Sequence, residues 1–158
     1  MDTRKKKERY ARILEQLGGL LSKTTDPDAR MATIVALLHH KMDYFFWTGF
    51  YFLKDGELIV RNYQGPVACQ VLEKNKGVCW AGINGAKTLV VPDVHQFPDH
   101  IACDSRSNSE IVVPVMDPSG KIVGVLDVDS EKPAAFDEVD AEYLGKIVQL
   151  VYSVPDLR

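Results

Sequence analysis

The sequence has no long apolar run and no excess of positive charge. No stretch approaches the roughly 20 apolar residues that a membrane-spanning helix needs. The charged N-terminus is not followed by the apolar segment of a secretory signal. A net charge of -3 gives no general attraction to nucleic acid or to an anionic membrane. We therefore expect a cytoplasmic protein with no nucleic-acid and no membrane partner.

Several common catalytic signatures are also missing. The sequence contains no Gly-rich phosphate loop, no G-x-G-x-x-G fingerprint and no serine nucleophile elbow. Its odd number of cysteines, three, argues against a secreted disulfide framework. The spacing of Cys69, Cys79 and Cys103, with His95 or His100 nearby, fits no common zinc pattern. We therefore expect no metal. A Cys–His hydrolase would leave two of the three cysteines without a role.

The three cysteines occupy polar or glycine-containing stretches rather than apolar periodic runs. Structural cysteines are usually buried like small hydrophobic residues, whereas reactive cysteines lie in polar, accessible surroundings. In thiol redox chemistry one thiolate attacks an oxidised substrate and becomes a sulfenic acid. A second thiol then condenses with it to a disulfide. The alternative is that all three cysteines are incidental small residues. The cysteines alone do not favour either interpretation over the other.

The apolar periodicity predicts a single α+β domain over residues 1–158. Helices are predicted over residues 3–22, from Asp26 to Met42, and from Asp137 onwards. Strands are predicted over residues 44–53, 58–63, 89–91, 111–115 and 122–128, and residues 65–87 as loop with one or two short helices. The hairpins imply an antiparallel sheet, with the N- and C-terminal helices packed on one face. The basic run Lys5-Lys6-Lys7 is interpreted as a solvated helix start.

Acidic residues at strand positions add a second chemical signal. Glu110 begins one predicted strand, and Asp127 and Asp129 lie two residues apart in the next, so their side chains share a face. Buried carboxylates need a cation or a hydrogen-bond donor, which suits an ammonium-bearing ligand. Clustered carboxyl groups can also hold a proton for a leaving oxygen. The alternative is that both aspartates face solvent on an edge strand.

Two aromatic residues complete the candidate pocket. Trp47 and Tyr51 lie four residues apart on the first predicted strand, so they share a face of the sheet. They could wall an apolar pocket or belong to the ordinary core.

Taken together, the sequence resembles the free methionine-(R)-sulfoxide reductases, which have a GAF fold. The resemblance covers nearly the whole chain and rests on specific motifs. The matching stretches are Gly65-Pro66-Val67-Ala68-Cys69, Gly77-Val78-Cys79, Asp93-Val94-His95-Gln96-Phe97-Pro98, His100-Ile101-Ala102-Cys103-Asp104-Ser105, Ser109-Glu110-Ile111-Val112-Val113-Pro114 and Gly124-Val125-Leu126-Asp127-Val128-Asp129-Ser130, with Phe136 and Asp140. Two positions depart from the family, since Trp80 and Asp99 stand where glycine is usual. Asp99 must then adopt whatever backbone angles that turn requires, and Asp tolerates left-handed angles better than most residues.

The resemblance implies a GAF-like antiparallel sheet of about six strands, often in a homodimer. It makes Cys103 the catalytic cysteine, Cys69 the main resolving cysteine and Cys79 an auxiliary one. Positions that match the family's substrate-binding residues are Glu110, Asp127, Asp129, Trp47 and Tyr51, the last two around the substrate methyl group.

The implied activity is reduction of free methionine sulfoxide, R epimer, through a sulfenic acid and a disulfide. A thioredoxin-type partner would reduce that disulfide, and no metal or organic cofactor would be needed. Two alternatives stay open: a non-catalytic GAF module that binds a small ligand, and a thiol redox sensor without a substrate.

Overall fold

One antiparallel sheet organises the molecule. The computed structural model describes residues 1–100 and 103–153. In chain order the elements are α1 (Thr3–Leu20), α2 (Pro27–Lys41), β1 (Trp47–Lys54), β2 (Glu57–Gln64), β3 (Val71–Leu72), α3 (Gly77–Gly85), β4 (Leu89–Val91), β5 (Ser109–Met116), β6 (Ile122–Ser130) and α4 (Glu138–Gln149), with short 3-10 turns at Leu21–Lys23 and Val94–Gln96. The strand order is β3-β2-β1-β6-β5-β4. The predicted α+β fold with a six-stranded antiparallel sheet is confirmed.

Two helices begin at the aspartates that the sequence indicated. The Asp26 side chain accepts a hydrogen bond from the backbone N–H of Ala29 at 3.0 Å, and Pro27 opens α2. The Asp137 side chain accepts from the backbone N–H groups of Val139 and Asp140. Such caps satisfy donors that have no partner within the helix, which fixes where each helix begins.

The sheet has two different faces. Helices α1, α2 and α4 pack on one face and form the main core with alternate residues of the central strands, among them Phe50, Ile111, Val113 and Leu126. The opposite face carries a smaller apolar cluster that contains Trp47, Tyr51, Val112, Val125 and residues of α3. The predicted packing of the terminal helices on one face is confirmed, and the other face is left for a site.

The interpretation of the basic run as a solvated helix start is wrong for Lys6. This residue is 4% exposed, and its ammonium nitrogen lies 2.6 Å from a carboxylate oxygen of Asp140, which is fully buried. Asp140 also accepts hydrogen bonds from the hydroxyls of Tyr10, at 2.7 Å, and Tyr44. Helix α1 turns Lys6 towards the start of α4, where the buried carboxylate compensates the buried cation.

The segment 65–87 contains a short helix, as predicted, and also a short strand that was not predicted. It contains strand β3, in which Leu72 pairs with Leu58 of β2, and helix α3, in which Cys79 is buried. Cys79 therefore lies in a buried helix and not in the polar, accessible surroundings typical of a reactive cysteine. None of the helices in the described ranges is long and apolar enough to cross a membrane.

Candidate active site

Three acidic side chains meet on the face of the sheet opposite the main helices. Strand β6 lies between β1 and β5, so the interpretation of Asp127 and Asp129 as solvent-facing residues of an edge strand is wrong. Glu110 of β5 pairs directly with Asp129, and Asp127 pairs with Val112 two residues further along. Opposite and diagonal neighbours on one face of an antiparallel pair are within side-chain reach. Glu110 and Asp127 are each 6% exposed and Asp129 is partly exposed.

Burial sets the electrostatics of this carboxylate cluster. Loss of solvent raises the pKa of Glu110, and the charges of Asp127 and Asp129 raise it further. Burial and the Asp127 charge likewise raise the pKa of Asp129. Burial also raises the pKa of Asp127, and the adjacent polar side chains of Glu110 and Cys79 oppose that rise. A cluster of this kind retains a proton above the usual range for carboxyl groups.

Cys69 and Cys103 close the pocket from the side of the loops. The two residues form a disulfide, with their Cα atoms 5.7 Å apart although 34 residues separate them in sequence. Cys103 lines the cleft that contains the three carboxylates. Cys69 adjoins its wall, because the preceding residue, Ala68, also lines the cleft. Cys103 is exposed and Cys69 is half-buried. Of the motif around Cys103, Ile101 and Ala102 lie outside the described residues.

Trp47 and Tyr51 line the same cleft, on the sheet face that the sequence predicted for them. Their rings are stacked with centroids 5.8 Å apart. The indole N–H of Trp47 donates to the carbonyl of Pro66 at 3.1 Å, and the Tyr51 hydroxyl donates to the carbonyl of Cys69 at 2.8 Å. The two aromatic residues therefore wall the pocket and also tie the Cys69 loop to the sheet.

Two further residues support this aromatic wall and were missed by the sequence analysis. Tyr63 of β2 stacks on the Trp47 ring with centroids 5.3 Å apart. A Cβ atom at Gly49 would lie 2.4 Å from the Cβ of Tyr63 and 2.5 Å from the Trp47 ring. The indole can lie flat over β1 only because position 49 has no side chain. The signal was present as a glycine within an apolar strand, which often marks a close approach.

The loop that carries Cys103 is anchored by an arginine that sequence reasoning also missed. Arg106 donates two hydrogen bonds to the carboxylate of Asp104, at 3.0 and 2.8 Å, and its guanidinium lies 4.8 Å from the centre of the Phe46 ring. These hydrogen bonds lower the pKa of Asp104 to about 2. The turn before the cysteine contains Asp99 at φ 54°, a left-handed backbone angle of the kind that Asp tolerates better than most residues.

Cys79 lies among the carboxylates and is not part of the disulfide. Its sulfur, one oxygen of Glu110 and one oxygen of Asp127 all lie within 4.8 Å of one another. Burial and the neighbouring acidic groups raise the pKa of the Cys79 thiol. Next to it the buried indole of Trp80 donates to the Leu72 carbonyl at 3.5 Å, which joins α3 to β3. Within the described ranges, Cys79, Glu110 and Asp127 are the group of side chains with the spacing to hold a metal ion.

The pocket thus combines three chemical parts. A disulfide-bonded pair of cysteines lies at its side, buried carboxyl groups form its floor, and an aromatic wall offers an apolar surface. This combination can receive a small ligand with a cationic end and an apolar end, and can place a thiol next to it. A module that only binds an apolar ligand would need neither the disulfide pair nor the acidic floor.

Comparison with known proteins gives consistent matches. The profile of the GAF domain family matches residues 24–153. The chain is 46% identical over 147 residues to GAF domain-containing protein A of Dictyostelium discoideum, covering 92% of both chains. It is 36% identical over 143 residues to the free methionine-R-sulfoxide reductase of Escherichia coli, covering 90% of this chain and 86% of that one. The solved structure of the free methionine-R-sulfoxide reductase of Neisseria meningitidis in complex with its substrate superposes with a TM-score of 0.86 at 41% identity, covering 90% and 86% of the two chains.

Proposed function

Because the chain belongs to the free methionine-R-sulfoxide reductase family of GAF-domain proteins, we propose that it reduces free L-methionine-(R)-S-oxide to L-methionine. The proposal includes a cysteine sulfenic acid, an intramolecular disulfide and a thioredoxin-type reductant in the cytoplasm. The observation that carries it is the Cys69–Cys103 disulfide at the side of a pocket floored by three carboxyl groups. A homodimer is part of the proposal on family grounds alone.

The chemistry assigns one role to each part of the pocket. The methyl group on the sulfoxide sulfur packs against Trp47 and Tyr51, and a carboxyl group of the floor shares its proton with the sulfoxide oxygen. The Cys103 thiolate attacks the sulfoxide sulfur, methionine leaves, and the oxygen remains on Cys103 as a sulfenic acid. The Cys69 thiol then displaces that oxygen as water and forms the disulfide. In sum, one sulfoxide and two thiols give one thioether, one disulfide and one water.

A dithiol partner must then reach the disulfide from solvent. Cys103 is the more exposed of the two half-cystines, so attack by a thioredoxin-type thiolate on that side is supported by its accessibility. Cys79 is buried in α3, so its role is at most an auxiliary one in recycling.

The acidic floor supports a preference for the free amino acid. A free substrate carries an ammonium group, which the buried carboxylates can meet with charge-assisted hydrogen bonds worth about 1.5–3 kcal/mol each. A methionine sulfoxide residue within a protein has a neutral amide at that position. It would leave the buried carboxylates without a cation, and a flanking chain would collide with the pocket wall. Because about 1.4 kcal/mol is tenfold, loss of one such contact should reduce kcat/KM about 10- to 100-fold.

The substrate test compares free methionine sulfoxide with its N-acetylated form in an assay coupled to NADPH through thioredoxin and thioredoxin reductase. We expect kcat/KM to be about 10- to 100-fold lower for the N-acetylated compound, which lacks the ammonium group. Equal values would show that the carboxylates do not recognise an amino group, and no turnover of either compound would favour the redox sensor.

The roles of the cysteines are separated by single-turnover measurements without reductant. Cys103→Ser should form no methionine. Cys69→Ser should release about one equivalent of methionine per subunit and then recycle poorly with thioredoxin, because attack precedes disulfide formation. Cys79→Ser should have a milder effect. Methionine formation by Cys103→Ser, or undiminished coupled turnover by Cys69→Ser, would contradict the assignment.

A further inference from the structure

We propose that Cys79, Glu110 and Asp127 form a binding site for a Zn²⁺ ion, and that the bound ion excludes methionine sulfoxide from the pocket. The binding site stands on geometry alone. The exclusion of methionine sulfoxide rests on the proposed function, because it requires the substrate ammonium group to use the same carboxylates.

The three donors come from three different elements and converge on one point. Cys79 lies on α3, Glu110 at the start of β5 and Asp127 near the end of β6, and one ligand atom of each lies within 4.8 Å of the other two. Bonds of about 2.0–2.3 Å around a tetrahedral zinc ion place two ligand atoms roughly 3.3–3.8 Å apart. Small side-chain rotations are therefore enough to close the set around an ion.

An independent observation points to a missing ligand at the same place. Oδ1 of Asp127 is buried and has no hydrogen-bond partner within the described part of the chain. Asp127 is only 6% exposed, so solvent water does not donate a hydrogen bond to this oxygen. An unpaired buried carboxylate oxygen is costly, and native structures usually supply a donor or a cation. Within residues 1–100 and 103–153, the ion pairs found do not involve Glu110 or Asp127.

The mixture of donors selects the kind of cation. Calcium and magnesium prefer oxygen donors alone, whereas a thiolate beside carboxylates suits zinc. On binding, the proton of the Cys79 thiol passes to solvent, the sulfur coordinates as a thiolate, and any proton held between Glu110 and Asp127 is also released. Three protein donors leave a fourth position for water, as in an open zinc site. The cleft gives the ion access, because the donors line it together with exposed residues such as Lys76 and Val67.

The free thiol makes this site independent of the redox state of the other two cysteines. The chain has three cysteines, and two of them form the disulfide. In the oxidised protein Cys79 is therefore the single thiol that can bind a metal. Zinc bound through sulfur to the oxidised protein must use Cys79, which allows an unambiguous test.

The first experiment titrates the oxidised full-length protein with Co²⁺ as a spectroscopic probe and then with Zn²⁺ by calorimetry. We expect a thiolate-to-cobalt charge-transfer band that zinc abolishes, with one zinc bound per chain. Cys79→Ser should remove the band, and both Cys79→Ser and Asp127→Asn should weaken zinc binding at least about tenfold. Asp104→Asn is the matched control, since Asp104 lines the same cleft outside the donor set. It should leave zinc binding within about twofold.

The absence of the charge-transfer band in the oxidised protein would overturn the proposal. So would zinc affinity that is unchanged in both Cys79→Ser and Asp127→Asn, provided that circular dichroism shows both variants folded. If Cys79→Ser does not fold, unchanged affinity in Asp127→Asn is sufficient by itself.

The second experiment tests exclusion in a Cys69→Ser/Cys103→Ser variant, in which Cys79 is again the single thiol and no turnover takes place. Free methionine sulfoxide should raise the apparent zinc dissociation constant in proportion to its concentration, and the N-acetylated compound should do so much less. In the Co²⁺-loaded variant, a charge-transfer band that persists unchanged at saturating methionine sulfoxide would overturn the exclusion of methionine sulfoxide by the metal. It would also overturn the proposed substrate subsite. The zinc site itself would then stand, so the two failures are distinguishable.

Discussion

The hydroxyl of Tyr51 offers a sharp test of how the pocket wall and the resolving cysteine are connected. This hydroxyl donates to the carbonyl of Cys69 at 2.8 Å, while the ring stacks on Trp47. Tyr51→Phe keeps the ring and removes only the hydrogen bond that holds the Cys69 loop against the sheet. A neutral hydrogen bond contributes a net of about 0.5–1.5 kcal/mol. Because about 1.4 kcal/mol corresponds to a factor of ten, closure of the disulfide should slow by about 2- to 12-fold.

The measurement separates the two half-reactions of one turnover. Reduced protein is mixed with free methionine sulfoxide, methionine release reports attack by Cys103, and loss of the second thiol reports closure with Cys69. Methionine release and KM should stay close to the wild-type values in Tyr51→Phe, while disulfide closure slows. Tyr63→Phe, which removes a hydroxyl from the other ring stacked on Trp47, is the matched control. A raised KM with unchanged disulfide closure would refute the reasoning and leave Tyr51 a purely packing role.

Two further substitutions test parts of the fold that support the site. Gly49→Ala places a Cβ 2.5 Å from the ring of Trp47, so it should tilt the indole, raise KM for methionine sulfoxide and destabilise the protein by about 1–3 kcal/mol. The control is Gly145→Ala in α4, where the new Cβ meets no neighbouring atom within 4 Å, and it should stabilise the helix by about 0.5–1 kcal/mol. Loss of activity in both Gly49→Ala and Gly145→Ala would contradict the steric explanation. Lys6→Met removes one member of a buried ion pair and should lower the free energy of unfolding, measured in urea, by about 3–5 kcal/mol. The control Lys5→Met, at an exposed position, should change it by less than about 0.5 kcal/mol. Equal effects of the two substitutions would show that the ion pair does not stabilise the fold.

The fold could be predicted from the sequence where one physical rule dominates locally. The capping aspartates Asp26 and Asp137 begin their helices as expected, because a cap depends on residues within one turn. The hairpin strands were also predicted, because alternation and turn residues are short-range signals. Helix α3 was predicted only as one of one or two short helices somewhere within residues 65–87. Its bounds could not be predicted, since three of its nine residues are glycines and its intrinsic helix propensity is low. Its formation depends on burial of Val78 and Trp80 against the sheet.

The candidate site was predictable in part for a related reason. Period-two alternation placed Asp127 and Asp129 on one face, and the strand pairing in the structure shows how Glu110, the third predicted carboxylate, comes to lie beside them. The pairing of Cys69 with Cys103 came from the family resemblance, because spacing alone cannot give the connectivity of three cysteines. The contact between Lys6 and Asp140 joins residues 134 positions apart, and no local pattern encodes it.

The two faces of β6 explain how a small domain can carry so many uncompensated acidic groups. Leu126 and Val128 point towards the helices and are fully buried in the main core, whereas Asp127 and Asp129 point into the pocket. Burying carboxyl groups without cations is unfavourable, so the pocket face of β6 destabilises the fold. Burial of the apolar side chains on the helix face offsets that loss. Because alternation sends successive residues to opposite faces, these opposing effects arise within a single strand, and a register shift of one residue would exchange them. The pairing of β6 with strands on both sides prevents that shift, which is why the acidic floor is built on a central strand rather than at the edge of the sheet.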